Sequence, residues 1–433
     1  MLTLETHVFF DGPDNYPLKD AYYAQGSSPK LLNELMGYIQ ANKSRISAIY
    51  LASYLYNNEE LHDFLKQMAA GGKDVFVISI PLEGYDNRHP AKIIDAGTGI
   101  TTLSLATKAS LAESIYTSMR ESLPPSFNFY VFPHVYVRSP RMNFFSRGAL
   151  PYSLHVKAAL IKMKDGSGAV VGTSSNLAVR DWAKYEMMEI IEGDDSAAEC
   201  TERFFSDLIA NSIPLADFDE AVDWTKYPMK FKDFKPAKSA TYIAPFYADS
   251  PLHAEKEIIK VMSQAEKRIL VCAQHLSAYK YWTRQGTSDG ILSKVLEKAQ
   301  EGLDVKCISQ TFVNGFVQDR EFREPENTSS FKRFIEQYFK SSNAQYFVNE
   351  NIHEKYIIAD DTLIATTCNF TPTQFIYEKN VDIPSFDKRA ELSYHGTFSE
   401  VGQFLFIGEK AIVSACLQRF NNIISKPETV WVK

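Results

Sequence analysis

Two stretches of this chain carry the same order of hydrophobic and polar positions. In the first, RISAIYLASYLY (45–56) is a strand-like run dense in Ile, Leu and Tyr. EELHDFLKQMAAGGKDVFVISI (59–80) follows, with apolar residues at helical spacing, a Gly-Gly stop and a β-branched run. In the second, KRILVCAQHL (267–276) is the strand, and GILSKVLEKAQEGLDVKCISQ (290–310) again reads as helix, glycine stop and strand. A helix ended by glycine between two strands marks a βαβ unit in a parallel or mixed sheet. The pattern therefore predicts an α/β fold built from two similar halves.

Each half then reaches a second strand-like run by a route of different length. Asp74 to His155 spans 81 positions and Asp304 to His353 spans 49, so the first half carries about thirty extra residues. Part of that excess falls in the Pro- and aromatic-rich stretch 122–151, which reads as an irregular insertion, either a site-forming loop or a surface excursion with no role. Residues 213–245 have no clean periodicity, several prolines and mixed charge, and read as the connector. The expected domains are 1–236 and 237–433.

Composition changes this picture little. The chain has 433 residues, 45% hydrophobic and 23% charged, enough for two cores and ordinary for a globular protein. No window approaches the length of an apolar membrane span, and the N-terminus does not read as a secretory signal. Cys200, Cys272, Cys307, Cys368 and Cys416 are scattered and form no Cys-x-x-Cys pair, which reads as reduced core thiols in a cytoplasmic protein. The net charge of −7 argues weakly against non-specific binding of long duplex DNA, which favours basic proteins.

The candidate chemistry lies in the histidines. Of nine, two have lysine two positions later: His155-Val156-Lys157 and His353-Glu354-Lys355, one in each half. Both open apolar runs that read as strands, where residues i and i+2 share a face, so each His and Lys are expected side by side. Each run leads through a hairpin to a second apolar run ending in small hydroxyl residues and an asparagine, Asn176 and Asn369. A glutamate follows each, Glu186 and Glu378.

This set suits phosphodiester chemistry. Lysines and Asn amides can hold an anionic diester and take up transition-state charge without a metal. A neutral imidazole can attack phosphorus, and a protonated one can give its proton to the leaving oxygen. Glutamates can hold the second ring nitrogen of each histidine. The remaining histidines lack partners at metal-ligand spacing, and DGSG at 165–168 fits a hairpin turn, so no metal or cofactor is expected.

These residues resemble the phospholipase D superfamily, whose motif is His-x-Lys-x4-Asp followed by Gly-Ser-x-x-Asn. The second copy keeps the aspartate, Asp360, where the first has Lys162. The first better keeps the trailing element, Gly172-Thr173-Ser174-Ser175-Asn176, against Ala365-Thr366-Thr367-Cys368-Asn369 in the second. The resemblance covers roughly 44–190 and 267–425. It implies two α-β-α sandwich halves as a pseudo-two-fold dimer of domains with one active site, and a covalent phosphohistidine intermediate. It favours His155 as nucleophile and His353 as acid.

The motif fixes chemistry and not substrate. A nuclease is the first expectation, from the absence of a membrane anchor and the aromatic stretch bearing Arg138, Arg141 and Arg147. A phospholipase D or phosphatidyl transferase is the alternative, and a catalytically inert binding module the third. Tyr130, Phe132, Tyr136, Phe144 and Phe145 are candidates for base stacking or a lipid channel, with core filling as the plainer account. Gln274-His275, after the strand at 267–276, is a candidate substrate contact.

Overall fold

A computed structural model describes residues 5–15, 30–54, 56, 58–79, 123–132, 154–177, 184–218, 230–244, 246–247, 250–276, 281–283, 286–288, 290–310, 335–340, 342–370, 372–375, 382–383, 392–393 and 400–432. The chain divides into two compact units, with the change-over between Ala240 and Thr241.

The first unit runs β1 (Glu5–Asp11), α1 (Lys30–Ala41), β2 (Ile46–Ser53), α2 (Glu59–Ala70), β3 (Asp74–Ser79), β4 (Phe127–Val131), β5 (Lys157–Met163), β6 (Gly168–Thr173), β7 (Glu186–Glu192), α3 (Asp195–Ala210) and β8 (Ile213–Pro214). Its strands form one sheet in the order β1-β7-β6-β5-β2-β3-β4-β8. The strands β2, β3 and β4 run parallel, and every other pairing is antiparallel.

In the second unit come β9 (Ala240–Ile243), α4 (Ser250–Ser263), β10 (Arg268–Ala273), β11 (Tyr281–Thr283), β12 (Gly286–Ser288), α5 (Gly290–Gln300), β13 (Asp304–Ser309), β14 (Gln345–Val348), β15 (Tyr356–Ala359), β16 (Thr362–Thr366), β17 (Asp382–Ile383), β18 (Leu392–Ser393), β19 (Gly402–Ile407), α6 (Lys410–Ile424) and β20 (Val430–Val432). The main sheet has the order β9-β19-β16-β15-β10-β13-β14-β20, which matches the first sheet strand for strand. The pairs β11–β12 and β17–β18 form two small separate ladders. The α/β fold in two similar halves is therefore present.

The glycine stops work as expected. Asn58 caps α2 by accepting from the Leu61 N–H at 3.2 Å, and the helix ends at Gly71. Gly72 and Gly302 then take φ of +81° and +96°, the left-handed region that glycine enters without a Cβ clash. Leu61, Leu65 and Met68 on α2 pack with Ile49, Leu51, Val75 and Val77 of β2 and β3 in one core cluster. Fully burying each such side chain contributes roughly 1.5–3 kcal/mol.

Two segments differ from their expected form. The stretch 122–151 contains a strand, β4, parallel to β3, where an irregular loop was expected. Its alternating burial explains this, since Phe127, Phe129 and Val131 face the core while Asn128 and Tyr130 stay partly exposed. Phe132 is wholly buried, so it fills core, while Tyr136, Arg138, Arg141, Phe144, Phe145 and Arg147 lie outside the described residues. The connector 213–245 likewise yields β8 at its start and β9 near its end, each too short to announce itself by periodicity.

His62, on α2, belongs to this core. Its ring is 2% exposed, lies edge-on to Phe127 and Tyr56, and its Nδ1 is 3.2 Å from the Tyr56 hydroxyl. Burial, helped by Lys66 and opposed by Asp63, lowers its pKa from 6.5 to about 4. The stability that comes from keeping this ring neutral is complete above pH 6.5 and is lost as the pH falls through about 4. Denaturant melts at pH 7 and pH 4.5 should show a loss of up to about 3 kcal/mol from this site. His62→Gln should flatten that loss, and an unchanged pH dependence in the variant would remove His62 as its cause.

Candidate active site

Each unit places its His-x-Lys pair at one end of its sheet. In the first, β5 begins at Lys157, opposite Ser53 at the end of β2. His155 stands just before the strand, not within it, because the β2 ladder ends there. The second unit repeats this, with β15 opening at Tyr356 and both His353 and Lys355 just ahead of it. Each lysine donates to the carbonyl oxygen of its own motif's histidine, Lys157 at 2.6 Å and Lys355 at 2.7 Å. Lys157 and Lys355 are 2% and 0% exposed, and His353 is buried at 6% while His155 is half-buried. A buried ammonium fixed on the backbone of the motif's histidine is the kind of preorganised charge an anionic phosphoryl group needs.

The asparagines follow at the same sheet ends. The carbonyl of Asn176, after β6, accepts from the Ser53 hydroxyl at 3.0 Å. Asn369, after β16, accepts the His275 backbone N–H on its Oδ1 at 3.2 Å, which turns its NH2 group away from that backbone. Thus the Gln274-His275 pair lies at the C-terminal end of β10 beside Asn369, and the Gln274 side chain donates to Gln310 at 3.4 Å.

The two halves part company over the fourth residue. Glu186 opens β7, is 1% exposed, and accepts from the Ser174 hydroxyl. Ser174 in turn accepts the Met187 N–H and donates its own N–H to the Met187 carbonyl. Thr367 and Gln403 repeat this exchange in the second unit. By that register the strand position of Glu186 is held by Gly402 in the second unit. Glu378 lies outside the described residues. A Cβ on Gly402 would fall 1.8 Å from Cys368 Sγ, so the thiol takes the room that a longer side chain needs.

Asp360 sits at the far end of β15 from His353. It occupies the β15–β16 turn with φ of +50° and accepts the backbone N–H groups of Glu266, Lys267 and Arg268 at 2.7, 2.9 and 2.9 Å. Burial pushes its carboxyl up, and those three N–H groups together outweigh that and leave it below the ordinary value. Its place is a clasp between the turn and the start of β10. Lys162, in the first unit, is still within β5 and pairs with Glu202 of α3.

Sequence reasoning missed what lies beneath the second motif. Glu354, the middle residue of His353-Glu354-Lys355, is fully buried and paired with Arg419 of α6 at 2.6–2.7 Å. Burial raises the Glu354 carboxyl, and Arg419 opposes the shift without cancelling it. The first motif has buried Val156 at that position. It also missed Tyr54, which follows β2 as Gln274 follows β10. That matching placement was the available signal.

Among the described residues, no three of His, Cys, Asp and Glu converge as a ligand set for a metal ion, and no helix is long and apolar enough to cross a membrane. No protein-family model and no curated protein sequence matches the chain. Solved structures do. Phosphatidylserine synthase of Haemophilus influenzae superposes with a TM-score of 0.57 at 16% identity, over 94% of this chain and 86% of that one. Polyphosphate kinase of Porphyromonas gingivalis gives 0.49 at 10% identity over 98% of this chain, which spans 51% of the kinase, about half its length. Yeast tyrosyl-DNA phosphodiesterase gives 0.44 at 11% identity, over 94% of this chain and 91% of that one. The likeness to the synthase shows that the chain has the fold of the phospholipase D superfamily.

Proposed function

We propose that this chain, which has the phospholipase D fold, is a metal-independent phosphodiesterase working through a phosphohistidine intermediate. One observation carries the reading: both units set a His, a Lys bonded back to that His, and an Asn at the same end of a matching sheet. In the proposed reaction one imidazole nitrogen bonds to phosphorus as the ester oxygen leaves. The other imidazole, protonated, gives that oxygen its proton. Water or an alcohol, deprotonated by the second imidazole, then displaces the first from phosphorus. Lys157, Lys355 and the amides of Asn176 and Asn369 hold the phosphoryl oxygens. Glu186 and Glu378 are proposed to orient the rings, and Asp360 to support the second motif from its turn.

Nucleic acid is the proposed substrate, supported by the three arginines of 138–147 among aromatics. Phospholipid is the second reading, favoured by the fold shared with phosphatidylserine synthase. Purified chain should cleave single- or double-stranded DNA or RNA in excess EDTA. Headgroup release from phosphatidylethanolamine vesicles with no cleavage of nucleic acid would move the substrate to lipid. Activity that EDTA abolishes and divalent cations restore would sink the metal-independent reading.

A further inference from the structure

Tyr54 is the first residue after β2 and is half-buried. Its ring centroid lies 5.8 Å from that of the His155 imidazole, with the planes at 66°. The Lys157 ammonium stands over the same ring, 5.6 Å from its centroid. Since Lys157 also donates to the His155 carbonyl, the tyrosine, the lysine and the histidine close a ring of three contacts. An aromatic face attracts an ammonium, and an edge-on imidazole packs well against it. Each contact removes rotational freedom from a side chain that must be aimed to react.

The second unit offers a built-in comparison. Ser53 pairs with Lys157, and Cys272 pairs with Tyr356, so the position of Tyr54 is held by Gln274 in the other sheet. An amide that bonds Gln310 therefore stands where the first unit has a ring. We propose that Tyr54 is a positioning residue of the first motif alone, holding the His155 imidazole in one orientation with the Lys157 charge beside it. The proposal rests on reading His155 as a reacting group.

Two variants of the full chain test it. Tyr54→Phe keeps the ring and should turn over within about twofold of wild type. Tyr54→Leu removes the ring and should lower kcat about tenfold with KM little changed, because orientation and not binding is lost. In histidine NMR titrations, the His155 midpoint should move in Tyr54→Leu while that of His353 stays. A purely structural residue would lower the melting temperature of Tyr54→Leu and leave the His155 midpoint in place, which overturns the proposal. Equal loss in both variants overturns it too, since the hydroxyl and not the ring would be responsible. Should the wild type turn over no phosphodiester, the reaction reading fails. The His155 midpoint in Tyr54→Leu then still decides, a shift upholding the contact's role and no shift overturning it.

Discussion

His155→Ala and His353→Ala are each expected to lower turnover by about a thousandfold or more, with melting curves close to wild type. The proposed reaction uses one imidazole as nucleophile and the other as proton carrier, and losing either breaks the sequence of bond changes. The double variant should lose little more than either single one, because residues acting in one sequence of bond changes are not additive. His353 is buried, so His353→Gln is the better control for packing. A near-normal rate in either alanine variant would end the paired-histidine reading. Retained folding with lost activity in both would support it and also dismiss the inert binding module.

Arg419→Met should be the most destabilising single change near the site. It leaves Glu354 fully buried without its partner, which costs about 3–5 kcal/mol. Burial already raises the Glu354 carboxyl, and with Arg419 gone the chief opposition to that shift is lost, leaving only the Tyr356 hydroxyl against it. The loss should therefore be greatest at neutral and alkaline pH and shrink as the pH falls and the carboxyl takes up a proton. Glu354→Val with Arg419→Met should recover most of the stability, since an apolar pair restores what the first motif has at Val156. Denaturant melts of the single and double variants at pH 7.5 and 5 check this. A single variant as stable as wild type would mean that the pair contributes nothing.

Much of the architecture was legible because it is local. The helix–glycine–strand runs ending at Ser79 and Ser309 declare themselves through spacing and through the φ that Gly72 and Gly302 adopt. The strand β4 was hidden because a five-residue run inside a Pro-rich stretch shows its alternation only when β3 lies beside it. The same limit applies to the chemistry. His155, Lys157, His353 and Lys355 stand out by repetition along the chain. Arg419 lies 65 residues from Glu354 and Tyr54 about a hundred from His155, so neither link has a sequence signature. The glycine at the strand position of Glu186 in the second unit, Gly402, likewise shows only once β16 and β19 pair.

That glycine limits how the second half could come to resemble the first. Alanine at 402, or any larger residue on the way to a carboxylate, would set its Cβ 1.8 Å from the sulfur of Cys368, far inside non-bonded contact. Cys368 is wholly buried, so moving its thiol aside would disturb the packing around it. A single codon change at either site therefore leads downhill, towards a clash at 402 or a hole at 368. Only a paired exchange, with a smaller residue at 368 and an acid at 402, keeps the interior filled. Designers seeking a symmetric enzyme would need to make both changes in one step.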